Sequence, residues 1–157
     1  MKNLEQSMTD LVAVQEALYG WLEAEAESLR LKNYRELPHI ASQKLVCLQQ
    51  VQAAMHARDA ELQALLPGVD PVSFEALASI AQPEDLERLN LYRERSRHLG
   101  ETSAKLNDIN TATMRLMSHF VSGMLTALTP NGTTVRTYGR AGLNDTRIGT
   151  SRSLGSA

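Results

Sequence analysis

Residues 38–68 read PHIASQKLVCLQQVQAAMHARDAELQALLPG. Apolar or tolerant side chains recur at Ala41, Leu45, Leu48, Gln52, Met55, Asp59, Leu62 and Leu66, in alternating steps of four and three. That period is the signature of a helix face that meets another helix. Pro38 fits the first turn of such a helix, where its missing N–H is harmless. Pro67-Gly68 ends it, because proline disfavours helix in the residue before it and glycine eases the turn.

The same spacing appears upstream. From Asn3 to about Leu31, Leu4, Met8, Leu11, Gln15, Leu18, Leu22 and Leu29 form one stripe, widened by Val12, Val14, Tyr19 and Ala26. The width suits a bundle better than a two-stranded seam. Glu23, Glu25 and Glu27 fall on the remaining face or its edge and are expected in solvent. Lys32-Asn33-Tyr34 interrupts the pattern, and a short connection between two helices of similar length predicts an antiparallel hairpin.

Downstream, Asp70-Pro71 followed by Val72–Ala81 reads as a short helix with Asp70 as N-cap and Phe74, Leu77 and Ile80 buried. Gln82-Pro83-Glu84-Asp85 opens the longest helix, which runs to about Leu128. Its seam is written Leu86, Leu89, Arg93, Ser96, Gly100, Ser103, Asn107, Asn110, Met114, Met117, Val121, Met124, Leu128, apolar at the ends and polar in the middle. Leu99, Leu106, Ile109, Leu116 and Phe120 lie beside it, so the buried face is expected to rotate along the helix. Gly100 in mid-helix allows either a close helix approach or a bend. The expected fold is all-α: a long antiparallel, coiled-coil-like bundle of three long helices plus one short helix.

At Leu128 the chain changes character. Residues 1–128 form the expected helical domain. Residues 129–157 begin Thr-Pro-Asn-Gly and continue in small, polar and basic residues around Thr137-Tyr138-Gly139-Arg140-Ala141-Gly142. Val135, Tyr138, Leu143, Ile148 and Leu154 are isolated there, too few to offset the entropy of ordering, so a flexible tail is expected. Four arginines against Asp145 give the tail +3, which leaves −5 on the body of a chain whose net charge is −2. An acidic body with singly spaced tail arginines argues against nucleic acid as a ligand. Cys47 is the sole cysteine, which excludes an intramolecular disulfide. No apolar signal segment and no membrane-spanning run is read, so a cytoplasmic, soluble protein is expected.

No constellation of catalytic residues emerges. Glu36-Leu37-Pro38-His39 has the Glu-x-x-His spacing of di-iron bundles, but it occurs once and at a helix start. His56, His98 and His119 have no ligand-spaced partners. Lys44 lies one turn before Cys47, a position that lowers a thiol pKa if both are exposed, although a buried small side chain is the simpler reading. Nucleophile-elbow and phosphate-loop patterns are absent. The chain is read as no enzyme, with no cofactor and no metal.

Two features exceed what a bundle needs. Met114, Met117 and Met124 share a stripe with Leu116, Phe120 and Val121, and methionine is overused on surfaces that accept irregular partners. Both an open groove for a client helix and packing against the first helix are compatible with the pattern. Asn107 and Asn110 either fix register inside the bundle or sit in solvent. In the tail, Tyr138 is the candidate aromatic anchor, with Arg136 and Arg140 beside it.

These residues resemble the FlgN family of flagellar type III export chaperones. The Leu106-Asn107-x-x-Asn110 stretch precedes an apolar run to Leu128, and Tyr138-Gly139-Arg140-Ala141-Gly142 is similar to the family's Tyr-Gly-x-x-Gly tail motif. Lys44 with Leu45 and Leu48 is similar to its Lys-centred second helix. Pro67 to Gln82 is longer than the family's usual connection. The resemblance implies a cytoplasmic chaperone that binds terminal helical segments of hook-associated (hook–filament junction) proteins, prevents premature assembly, and delivers them to the flagellar export gate. The implied protein-binding residues are Met114, Met117, Phe120, Val121 and Met124 on the helix, and Arg136, Tyr138, Gly139, Arg140 and Gly142 in the tail. The competing classes are a non-secretory helical coiled-coil adaptor and a metal-binding bundle.

Overall fold

The computed structural model describes residues 1–68 and 74–128. The elements are α1 (Lys2–Arg30), α2 (Leu37–Leu65), a 3₁₀ segment (Phe74–Ser79) and α3 (Pro83–Leu128). No strand occurs among the described residues, and the all-α expectation holds. The expected short α-helix is instead a 3₁₀ segment. Its six residues give only two turns at about three residues per turn. Leu77 is fully buried there and Phe74 is half-buried, but Ile80 lies past the end and is exposed. Asp70 and Pro71 lie outside the described residues, as does the expected flexible tail from Thr129.

Two compact units divide the chain, Met1–Met114 and Arg115–Ala157. In the first, α1 and α2 form the expected antiparallel hairpin. Leu4 and Met8 at the start of α1 meet Leu62 and Leu66 at the end of α2, and Leu77 and Leu89 complete this cluster. α3 begins at the same end and runs parallel to α1. Arg88 pairs with Glu5 at 3.5 Å and Arg95 with Glu16 at 2.9 Å.

The turn between α1 and α2 follows a recognised helix stop. Lys32 N–H donates to the Leu29 carbonyl at 3.2 Å and Asn33 N–H to the Ser28 carbonyl at 2.8 Å. That is the Schellman pattern, and it needs a left-handed residue just past the helix. Lys32 fills the position with φ = 57°, a conformation that costs an L-residue with a side chain about 1 kcal/mol. At the end of α2, Gly68 takes φ = 84° without that cost.

The buried face of α1 follows the sequence stripe at Leu4, Met8, Leu11, Leu22 and Leu29. On α2 the register differs from expectation by one residue. The inward line is Ile40, Lys44, Cys47, Val51, Ala54, Arg58 and Leu62, whose members are buried or half-buried. The line read from sequence joins the core only at Leu62 and Leu66. Its middle faces solvent, with Leu45 58% and Leu48 51% exposed. Two stripes about 100° apart are both apolar on this helix, and period alone does not say which one turns inward.

Along α3 the buried line is Leu89, Tyr92, Ser96, Leu99, Ser103, Leu106 and Asn110, fully or partly covered. It shares every second position with the predicted seam and replaces Arg93, Gly100 and Asn107 by their neighbours. This line alternates steps of three and four without a break, so Leu99 and Leu106 belong to one continuous face rather than to a rotating one, and Ile109 is exposed.

Replacing Lys32 by glycine removes the left-handed strain while keeping the turn. We expect Lys32→Gly to raise stability by about 0.5–1 kcal/mol, seen as a Tm increase of roughly 1–4 °C in a thermal melt.

Candidate protein-binding site

A polar cluster inside the first unit ties its three helices together. Glu25 on α1 is 3% exposed. Lys44 Nζ on α2 donates to both of its carboxylate oxygens, at 2.8 and 2.7 Å. Asn110 Nδ2 on α3 donates to Glu25 Oε2 at 3.0 Å and to the Leu22 carbonyl at 2.9 Å. The expectation of a solvated Glu25 therefore fails. It stands midway between Leu22 and Leu29, on the buried stripe itself, and its charge is balanced there by Lys44. Of the two asparagines, Asn110 is the buried one and Asn107 is exposed.

Next to this cluster lies a cleft of about 290 Å³ lined by Leu18 and Leu22 of α1, Leu48 and Val51 of α2, and Leu99, Gly100, Ser103 and Ala104 of α3. Gly100 does not bring helices together. No neighbouring atom lies within 4 Å of where its Cβ would stand. Gln15 Oε1, on a residue of the cleft wall, is buried with no hydrogen-bond partner among the described residues.

The second unit, within the described residues, is the α3 stretch Arg115–Leu128. It contains no Asp, Glu or Lys, and its only arginine is Arg115. At 100° per residue, Leu116, Phe120, Val121, Met124, Leu125 and Leu128 fall within one half of the helix circumference. Ser118, His119, Ser122, Gly123 and Thr126 occupy the other half. The apolar half is exposed: Leu116 by 71%, Phe120 by 69%, Leu128 by 73%. Val121, Met124 and Leu125 are also exposed, while Met114 and Met117 are half-buried. Together the six exposed side chains offer on the order of 600 Å² of apolar surface, at or above the largest patch of an ordinary monomer.

Phe120, Val121 and Met124, expected as binding residues, thus share an open face. Leu116, Leu125 and Leu128 belong to it as well. The signal for them in sequence is the absence of ionised side chains after Arg115. Arg136, Tyr138, Gly139, Arg140 and Gly142 lie outside the described residues.

The other candidate groups have structural partners. His39 meets Trp21 edge-on at 5.8 Å, Glu36 Oε2 accepts a hydrogen bond from Ser28 Oγ at 3.4 Å, and Cys47 is a buried free thiol. Among the described residues no cluster of three His, Cys, Asp or Glu side chains is placed to hold a metal, and no helix is long and apolar enough to cross a membrane.

A family model described as FlgN protein matches residues 1–146. The chain belongs to the FlgN family. This is the flagellar export chaperone family, and the match extends over nearly the whole sequence. No curated protein and no solved structure matches the chain. In this FlgN-family chain, the lysine of the second helix has a defined structural partner, the buried Glu25.

Removing one partner of a buried ion pair strands the other. We expect Lys44→Ala to cost about 3 kcal/mol in urea unfolding, and the double replacement Glu25→Met with Lys44→Met to recover most of that loss.

Proposed function

We propose that this chain is a cytoplasmic chaperone of flagellar type III export whose clients are hook-associated (hook–filament junction) proteins. It binds their terminal helical segments, keeps them from assembling early, and hands them to the export apparatus. The observation that carries the reading is the exposed apolar half of α3 from Leu116 to Leu128, in a chain of the FlgN family.

An amphipathic helix whose apolar half is largely solvent-exposed is suited to be one member of a helix–helix interface. Terminal segments that polymerise in the finished structure present apolar helical faces before they assemble, and such a face matches this one in chemistry. Recognition then rests on shape and apolar area, because residues 116–128 carry no formal charge. Methionines at 114, 117 and 124 adapt to clients that differ in side-chain shape. Handover requires release, and ordering of Tyr138 and its neighbours on a client or on the gate lowers net affinity to a range that permits it. Arg136 and Arg140 flank the tyrosine as polar contacts, with Gly139 and Gly142 allowing close backbone approach. This is binding chemistry and involves no reaction at the protein.

Titration calorimetry of the full chain with the terminal segment of a hook-associated protein tests the reading. The wild-type chain is expected to bind, and Phe120→Asp to weaken binding at least tenfold with helicity and Tm unchanged. Tyr138→Ala is expected to weaken binding to client or gate, again without a change in the melt. Absence of binding by the wild-type chain, or a loss of folding cooperativity in the tyrosine variant, overturns it.

A further inference from the structure

α3 is fastened to the α1–α2 hairpin unevenly along its length. Its start is well covered. Leu89 is 2% exposed in the cluster with Leu4, Met8, Leu62, Leu66 and Leu77, and Leu86 and Tyr92 pack against it. From Ser96 to Met114 the buried side chains are Leu99, Ser103 and Asn110, of which only Leu99 is large and apolar, and Leu106 is half-buried. The cleft of about 290 Å³ is lined on one side by this stretch and on the other by the hairpin. A Cβ added at Gly100 meets no atom within 4 Å. Surfaces that face a gap forfeit much of the dispersion energy of close packing.

What holds this stretch is mainly polar. Asn110 Nδ2 donates to the Leu22 carbonyl and to Glu25 Oε2, both on α1. The Arg95–Glu16 pair just before the stretch is exposed and screened by salt. Releasing Asn110 does not strand Glu25, because Lys44 of α2 donates to both oxygens of that carboxylate. The polar cluster is therefore asymmetric. Its charge balance lies within the hairpin, and its tie to α3 is the neutral amide of Asn110.

We propose that residues 96–114 of α3 form a strap that opens as a unit from a hairpin that stays folded, with Asn110 as its latch. Segments with few buried apolar side chains and low packing density open below the free energy of global unfolding. Once released, the strap does not stay helical. A lone helix of that length is marginal in water, and this one contains Gly100 and the β-branched Thr102, Ile109, Thr111 and Thr113. Its amides therefore lose their hydrogen bonds together. Opening uncovers Leu18, Leu22, Leu48 and Val51 on the hairpin side of the cleft and leaves the cluster around Leu4 and Leu89 closed. The device stands apart from the client reading, since it uses neither residues 116–128 nor the tail.

Native-state hydrogen exchange of the full chain, read by NMR at increments of urea below the unfolding transition, is the test. The amides of 96–114 are expected to share one opening free energy, with protection at least tenfold below that of residues 8–29 in α1. Their common urea slope is expected to be shallower than that of α1, because the opening exposes less surface than global unfolding. Lys32→Val strains the hairpin turn, where φ is 57°, equally in the closed and open forms. It is expected to speed exchange in α1 and leave 96–114 unchanged. Asn110→Ala destabilises the closed form alone and is expected to speed exchange in both segments about tenfold. Exchange of 96–114 with the protection and slope of α1 overturns the proposal. So do amides of 96–114 that exchange one by one without a common slope, a Lys32→Val effect of equal size in both segments, or an Asn110→Ala variant that leaves 96–114 unchanged.

Discussion

The carboxylate of Glu25, buried and held by Lys44 and Asn110, is the constraint on which the bundle's alignment depends. Apolar packing alone permits helices to slide by a turn at modest cost, because leucine stripes repeat. A buried charge does not tolerate such a slip. Moving α2 or α3 by one turn removes Lys44 or Asn110 from Glu25 and leaves a desolvated group unpaired, which costs several kcal/mol. The exposed pairs Arg88–Glu5 and Arg95–Glu16 agree with the same register, but each contributes at most about 1 kcal/mol and is screened by salt.

The three long helices and their ends were legible in sequence because Pro38, Pro67-Gly68 and Gln82-Pro83 are strong local signals that the tertiary structure respects. The stripe of α1 was legible because only one face of it is apolar. On α2 the most regular heptad turned out to be the outer one. An apolar pattern identifies a face that favours cover, and α2 has two such faces, of which the described residues bury one. Glu25 was misread for a related reason. A single glutamate on an apolar stripe is indistinguishable from a solvated one until its cation, 19 residues away, is placed against it. The 3₁₀ form of Phe74–Ser79 was hidden too, since Leu77 gives the same anchor signal in either helix type.

The candidate site was partly legible. Phe120, Val121 and Met124 were identified from methionine content and from family resemblance, and they lie on the exposed half of α3. Leu116 was placed on the same stripe but not among the binding residues, and Leu125 and Leu128 were not singled out, because an apolar side chain in a helical stripe is ordinarily buried. What marks them is solvent exposure together with the absence of ionised side chains. The α2 stripe bears the same mark, and the two uncharged stretches, 45–57 and 116–128, together account for most of the exposed large apolar side chains among the described residues.

The polar cluster also orders the events of folding. Its Lys44–Glu25 contact closes a separation of 19 residues, whereas Asn110 reaches Glu25 across 85 and Leu22 across 88. Loop-closure entropy rises with that separation, so the hairpin forms on local contacts and α3 is secured later. Within the hairpin itself Lys44 already neutralises Glu25, without a contribution from Asn110. A chain emerging from the ribosome can therefore hold two finished helices while its third, with the face that needs a partner, is still being made.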